Sequence, residues 1–165
     1  MIHIGTSGYS FRDWVGPFYP PGTRSTGMLR HYARRFGSVE INATYYRLPP
    51  PATFAQMVDR TPPEFRFTVK LPKEITHDRT RELSPYDAFL RAIAPLEAAG
   101  KFHGALAQFP FAFRASSENR DFLQILRLGL GRIPLFVEFR HDSWARDETF
   151  ALLEEIGVGF CSVDE

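Results

Sequence analysis

Short apolar or β-branched runs recur along the chain at intervals too long for hairpins. They are IHIG (2–5), VEIN (39–42), FRFTVK (65–70), GALAQF (104–109), LFVEFR (135–140) and VGFCSV (158–163). Between them the apolar spacing changes from two to the three-and-four of a helix face. Met28, Leu29, Tyr32, Ala33 and Phe36 line a first helix, and Phe54, Met57 and Val58 a short second one whose entry the prolines at 49–51 stiffen. Ser84 as N-cap and Pro85 at the first helical position open a third, with Phe89, Leu90, Ile93 and Leu96 on its face. A fourth runs from about Ser117 through Phe122, Leu123 and Leu126. A fifth starts near Asp147, carries Phe150, Leu153 and Ile156, and meets Gly157 as a stop.

Strand alternating with helix predicts one α/β domain over residues 1–165 with parallel strands. Parity then separates an open doubly wound sheet from a barrel. Ile2 and Ile4, Val39 and Ile41, Phe67 and Val69, Val137 and Phe139, and Cys161 and Val163 take one face. His3, Glu40 and Asn42, Thr68 and Lys70, Glu138 and Arg140, and Ser162 and Asp164 take the other, while the fourth strand, with both Leu106 and Gln108, is undecided. A doubly wound sheet is covered on both faces and is apolar on both. A barrel packs its outer face on helices and lets its inner face turn polar at the mouth. The predicted fold is therefore a TIM-type (β/α)8 barrel, here a truncated portion with about six strands and five helices. A complete barrel needs about 250 residues, so two βα units are expected to be missing. A chain really this short would present open barrel edges through which it could associate with itself.

Composition adds exclusions. A chain of 165 residues, 44% hydrophobic and 24% charged, can build one sizeable core, and a net charge of +1 gives no global field for nucleic acid. With no basic-then-apolar leader and no long apolar run, the chain reads as cytoplasmic and soluble. The single cysteine, Cys161, excludes an internal disulfide and reads as a core thiol rather than a nucleophile.

The motifs IGTSGYSFRDWVGPFYP, VEINATYYRLP, FTVKLPKEITH, AQFP and VEFRHDSW, in this order, resemble the domain-of-unknown-function 72 family over essentially the whole chain. The resemblance implies an eight-stranded TIM-type barrel longer than this chain, of unestablished activity, and supplies no catalytic assignment. Tyr9 stands where that pattern commonly has tryptophan, Phe111 where a second proline often follows, and Asp142 where proline is usual.

A TIM barrel keeps its chemistry at the C-terminal strand ends. Glu40, Lys70, Glu138 and Asp164 are the candidate catalytic groups there, because unlike neighbours and low dielectric can separate carboxyl pKa values. Arg140 joins Lys70 for charge stabilisation. Asn42 and Gln108 extend the same face, and Tyr45, Tyr46, Arg47, His77, His141 and Trp144 follow in the loops as ligand-binding candidates. The loop GTSG (5–8) offers amides and the hydroxyls of Thr6 and Ser7 to an oxyanion. Against this stands a purely structural ion network pairing Glu40 with Lys70 and Glu138 with an arginine. Divalent metal is not favoured, because no H-x-x-x-H or H-E-x-x-H spacing occurs and the histidines are isolated, so the cofactor stays unassigned. Aromatic residues near the strand ends either stack on a ligand or cap the core.

Three functions are compatible with this pattern. The first is an enzyme, of hydrolase, lyase or isomerase type, doing acid–base chemistry on a small polar anion such as a sugar or phosphate ester. The second is a nucleic-acid processing or binding protein, which the balanced charge disfavours. The third is a non-catalytic anion sensor. None involves a membrane.

Overall fold

The protein is described from a computed structural model over residues 2–164. Six strands, β1 (Gly5–Ser7), β2 (Ser38–Ile41), β3 (Arg66–Lys70), β4 (Phe102–Gln108), β5 (Leu135–Glu138) and β6 (Gly159–Phe160), form one sheet in consecutive order, every neighbouring pair parallel. The helices are α1 (Ser25–Tyr32), α2 (Pro51–Asp59), α3 (Lys73–Thr76), α4 (Ser84–Ala98), α5 (Ser117–Leu130) and α6 (Asp147–Glu155). This is the wound order of a TIM-type barrel, with six of its strands present.

The outward strand positions and the inner helix faces make one core. Val39, Ile41, Phe67, Val69, Leu135 and Val137 pack with Leu29 and Tyr32 of α1, Phe54 of α2, Phe89 and Ile93 of α4, and Phe122 and Leu126 of α5. Ser116 caps α5 by accepting a hydrogen bond from the Asn119 amide at 3.2 Å. Gly157, at φ +64°, ends α6 and lets the Val158 amide reach back to the Leu153 carbonyl.

Four sequence expectations are corrected. The first strand is Gly5–Ser7, not 2–5, and Ile2 and Ile4 are 90% and 68% exposed, because pairing with β2 begins only at Gly5. α1 ends at Tyr32, four residues before Phe36, whose ring nevertheless stacks on Tyr32. Ser84 lies inside α4 rather than capping it, with Leu83 at the cap and no side-chain bond there. The short helix α3 carries too few residues to show a period, and the sequence hid it.

The sixth strand inverts the expected parity. Gly159 pairs with the inward Phe136 and Phe160 with the outward Val137, so Cys161 continues the inward face. VGFCSV is apolar on both parities, and only cross-strand pairing decides it. The inward Phe136 ring also occupies the space beside the glycines of β4 and β6. A Cβ on Gly104 would lie 2.5 Å from this ring and 3.1 Å from the Pro134 carbonyl, and one on Gly159 would meet the ring at 2.5 Å. Gly104→Ala is therefore expected to destabilise by about 1–3 kcal/mol through overpacking. Urea unfolding reads this, and adding Phe136→Leu should recover part of the loss. An unchanged midpoint would mean that the ring moves aside freely.

Candidate functional site

The inward face of the strands opens at their C-terminal ends into a cavity of about 750 Å³. Its wall holds Ser7, Glu40, Asn42, Tyr45, Tyr46, Lys70, His77, Gln108, Glu138 and Arg140, all expected from the sequence. Strand register explains the gathering: Ser7 lies beside Glu40, and Gln108 beside Glu138.

Two hydrogen-bonded chains organise the wall. In the first, Lys70 Nζ donates to Gln108 Oε1, Gln108 Nε2 donates to Glu138 Oε1, and Arg140 Nε pairs with the same oxygen at 2.7 Å. The ammonium only donates and the carboxylate only accepts, so the Gln108 amide has one orientation. In the second, Asn42 Nδ2 donates to Ser7 Oγ, which donates to Glu40 Oε1 at 2.8 Å. The two carboxylates thus differ in kind. Glu138 is buried and committed to an arginine, whereas among the described residues Glu40 makes no ion pair. The Glu40–Lys70 pair anticipated by the structural alternative does not form at ion-pair distance, while the Glu138–arginine pair does.

Burial pushes the Lys70 amine below its ordinary 10.5, with Glu40 and Glu138 opposing and Arg140 reinforcing the shift. Its Nζ sits 5.1 Å over the Tyr45 ring, which meets His77 edge-on at 5.0 Å. Burial, then the Lys70 charge, holds His77 below 6.5, so it faces the cavity as a neutral imidazole near pH 7.

Five expected site residues lie elsewhere. Thr6 points outward to the Tyr32 hydroxyl at 2.9 Å, and the Thr6 and Gly8 amides are taken by that hydroxyl and the Glu40 carbonyl, so GTSG forms no oxyanion nest. Arg47 is exposed outside the cavity. His141 accepts from the Ser143 amide at 3.1 Å and packs on Phe111, and its Nδ1 lies 3.0 Å from a carboxylate oxygen of Asp142. Trp144 is 1% exposed, stacked on Phe139 with its indole N–H bonded to the Phe113 carbonyl, and belongs to the core. Asp164 is exposed and leaves the lining because β6 has the opposite parity.

The same inversion brings in Cys161 and Val163, which the sequence assigned to the outer face. Burial first, then Glu138 and Glu40, raises the Cys161 thiol above 9.0, so it stays protonated and is a poor nucleophile. Among the described residues no group of three or more His, Cys, Asp or Glu is gathered to hold a metal ion. Nor, among them, is any helix long and apolar enough to cross a membrane.

The family model described as Protein of unknown function DUF72 matches residues 3–165. The chain belongs to the DUF72 family. It is 33% identical over 150 residues to UPF0759 protein YunF of Bacillus subtilis, an alignment covering 87% of this chain and 52% of that protein. The chain thus spans about half the length of that relative. A crystal structure of a DUF72 family protein from Thermotoga maritima superposes with a TM-score of 0.88 at 40% identity, covering 99% of this chain and 65% of that one. One from Enterococcus faecalis gives 0.84 at 27% identity, covering 97% and 60%. DUF72 proteins thus share the TIM-type fold seen here.

Proposed function

We propose that this DUF72 protein is an enzyme performing acid–base chemistry on a small, polar anion of the sugar or phosphate-ester class at the C-terminal mouth of its barrel. The observation that carries this reading is the asymmetry of the two carboxylates. Glu40, whose carboxylate among the described residues is bonded only to the Ser7 hydroxyl, exchanges a proton with the ligand. Glu138 fixes Arg140 and, through Gln108, Lys70 as the positive wall that receives the anion. Lys70 keeps N–H groups beyond the one given to Gln108. His77, neutral near pH 7, orients the ligand by hydrogen bonding.

The test is a thermal-shift panel on the full-length protein with phosphate, sugar phosphates, carboxylates and short oligonucleotides, each with and without divalent metal. A small anion at about 100 times its dissociation constant is expected to stabilise by about 2.7 kcal/mol, and Lys70→Met to remove that shift. Because capture needs protonated Lys70, affinity should fall as pH rises through a midpoint below 10.5. A shift with oligonucleotides alone, weakening steeply with salt, would replace this reading by nucleic-acid binding.

A further inference from the structure

Beside the polar cavity lies a second hollow of about 350 Å³, sharing the wall formed by Ser7, Glu40 and Asn42. Its character is opposite. Tyr9, Phe11, Ile41 and Met57 line it with ring and aliphatic surface. The β1 loop makes this space through Gly8, whose φ of +93° turns the chain and whose missing Cβ admits the Phe11 ring, since a Cβ there would lie 2.9 Å from Phe11 Cζ. Phe11 is 42% exposed and packs against Trp14 with tilted rings, centroids 4.8 Å apart, on one side of the hollow.

The shared wall contains an unfinished polar group. Glu40 accepts from Ser7, so the serine hydrogen is spent there and Ser7 must accept from Asn42 Nδ2. This fixes the Asn42 amide and turns Oδ1 away from Ser7, where it is buried and has no hydrogen-bond partner among the described residues. An orphaned buried acceptor is costly and is satisfied by whatever brings it a donor. Asn42 lines both hollows, so a group bridging them is placed to do so.

From this juxtaposition we infer that the ligand is bipartite: an anionic head in the polar cavity, an aromatic or alicyclic ring in the apolar annex, and between them an O–H or N–H donor bound by Asn42 Oδ1. This rests on the anion reading above only for the head. The ring and the donor stand on the annex and on Asn42. Ring burial supplies affinity through apolar area and the donor supplies orientation.

Two probe sets test the parts separately in the full-length protein. Phenyl phosphate is expected to bind at least tenfold more tightly than inorganic phosphate. Ala43→Phe, at an exposed annex position outside the polar cavity, should cancel that advantage without changing phosphate affinity, while Ala43→Ser keeps it. Benzyl alcohol carries ring and donor without charge. Followed by amide NMR, it should perturb Gly8, Asn42 and Ala43 in the parent and not in Ala43→Phe, and should bind several-fold more tightly than benzyl methyl ether, which lacks the donor. No perturbation at millimolar benzyl alcohol, or a ring advantage that survives Ala43→Phe, overturns the annex, and equal binding of alcohol and ether overturns the role of Asn42. Failure of inorganic phosphate to bind while benzyl alcohol does so would overturn the anionic head and uphold the annex.

Discussion

Glu40→Gln is expected to lower turnover by about 10²–10⁴-fold, the range contributed by a positioned proton-transfer group, while leaving the thermal midpoint almost unmoved. The amide keeps the shape of the carboxylate and an oxygen able to accept from Ser7, so the wall stays closed. What it loses is proton exchange. Glu138→Gln behaves differently on the same scaffold. There the carboxylate is buried, accepts from Gln108 and pairs with Arg140 at 2.7 Å, so an amide removes one charge from a buried pair. The second variant should therefore lose stability, by about 2 kcal/mol, together with activity. The pair is measured with the anion that gives the largest thermal shift, as kcat/KM and thermal midpoint side by side. A Glu40→Gln protein with parental turnover would remove Glu40 from the chemistry and leave it as a strut for Ser7 and Asn42.

The sequence revealed which face of the barrel was polar more reliably than where each strand began. In β2 and β3 the alternation is strict, because each has an apolar outer face and a polar inner one, and β5 departs from it only at the inward Phe136, so the inward Glu40, Lys70, Glu138 and Arg140 followed from parity alone. At the chain's two edge strands the rule failed for a physical reason. β1 pairs through Gly5, Thr6 and Ser7, none of them apolar, and Thr6 satisfies its outer face with a tyrosine hydroxyl instead of with core packing. β6 offers apolar residues on both faces, so Cys161 and Asp164 exchanged places. Trp144 and His141 were misread because a loop residue next to a charged strand end can fold back into the core or cap its own turn, and only tertiary contacts distinguish these outcomes. Aromatic capping of the core, one of the two options open for the loop aromatics, is what Trp144 does.

Lys101 shows how far a decisive interaction can lie from any local signal, and replacing it should give the largest loss of stability. It sits three residues after α4 ends at Ala98 and is 5% exposed. Its Nζ donates to the Val58 carbonyl at 2.8 Å, the Thr61 carbonyl at 2.8 Å and the Thr61 hydroxyl at 3.0 Å. A charged amine thus caps the C-terminal end of α2 from about forty residues away, complementing the negative end of that helix. Removing a buried charge together with its partners is often neutral or favourable, but removing only one side is not. Lys101→Met preserves the length of the side chain, leaves the Thr61 carbonyl without this donor and takes one donor from the Thr61 hydroxyl and from the Val58 carbonyl, which keeps the Thr61 amide at 3.3 Å and the Thr61 hydroxyl at 3.2 Å. At about 1–3 kcal/mol for an acceptor left unpaired, partly offset because the amine is no longer desolvated, the net loss should be about 3 kcal/mol. For a domain of 150–250 residues each kcal/mol shifts the midpoint by about 2–4 °C. Urea unfolding with an unchanged slope would assign the loss to the native state. A midpoint within a degree of the parent would mean that the three bonds do no more than repay the burial of the ammonium, and that the end of α2 is held by packing and by the Thr61 bonds to the Met57 and Val58 carbonyls.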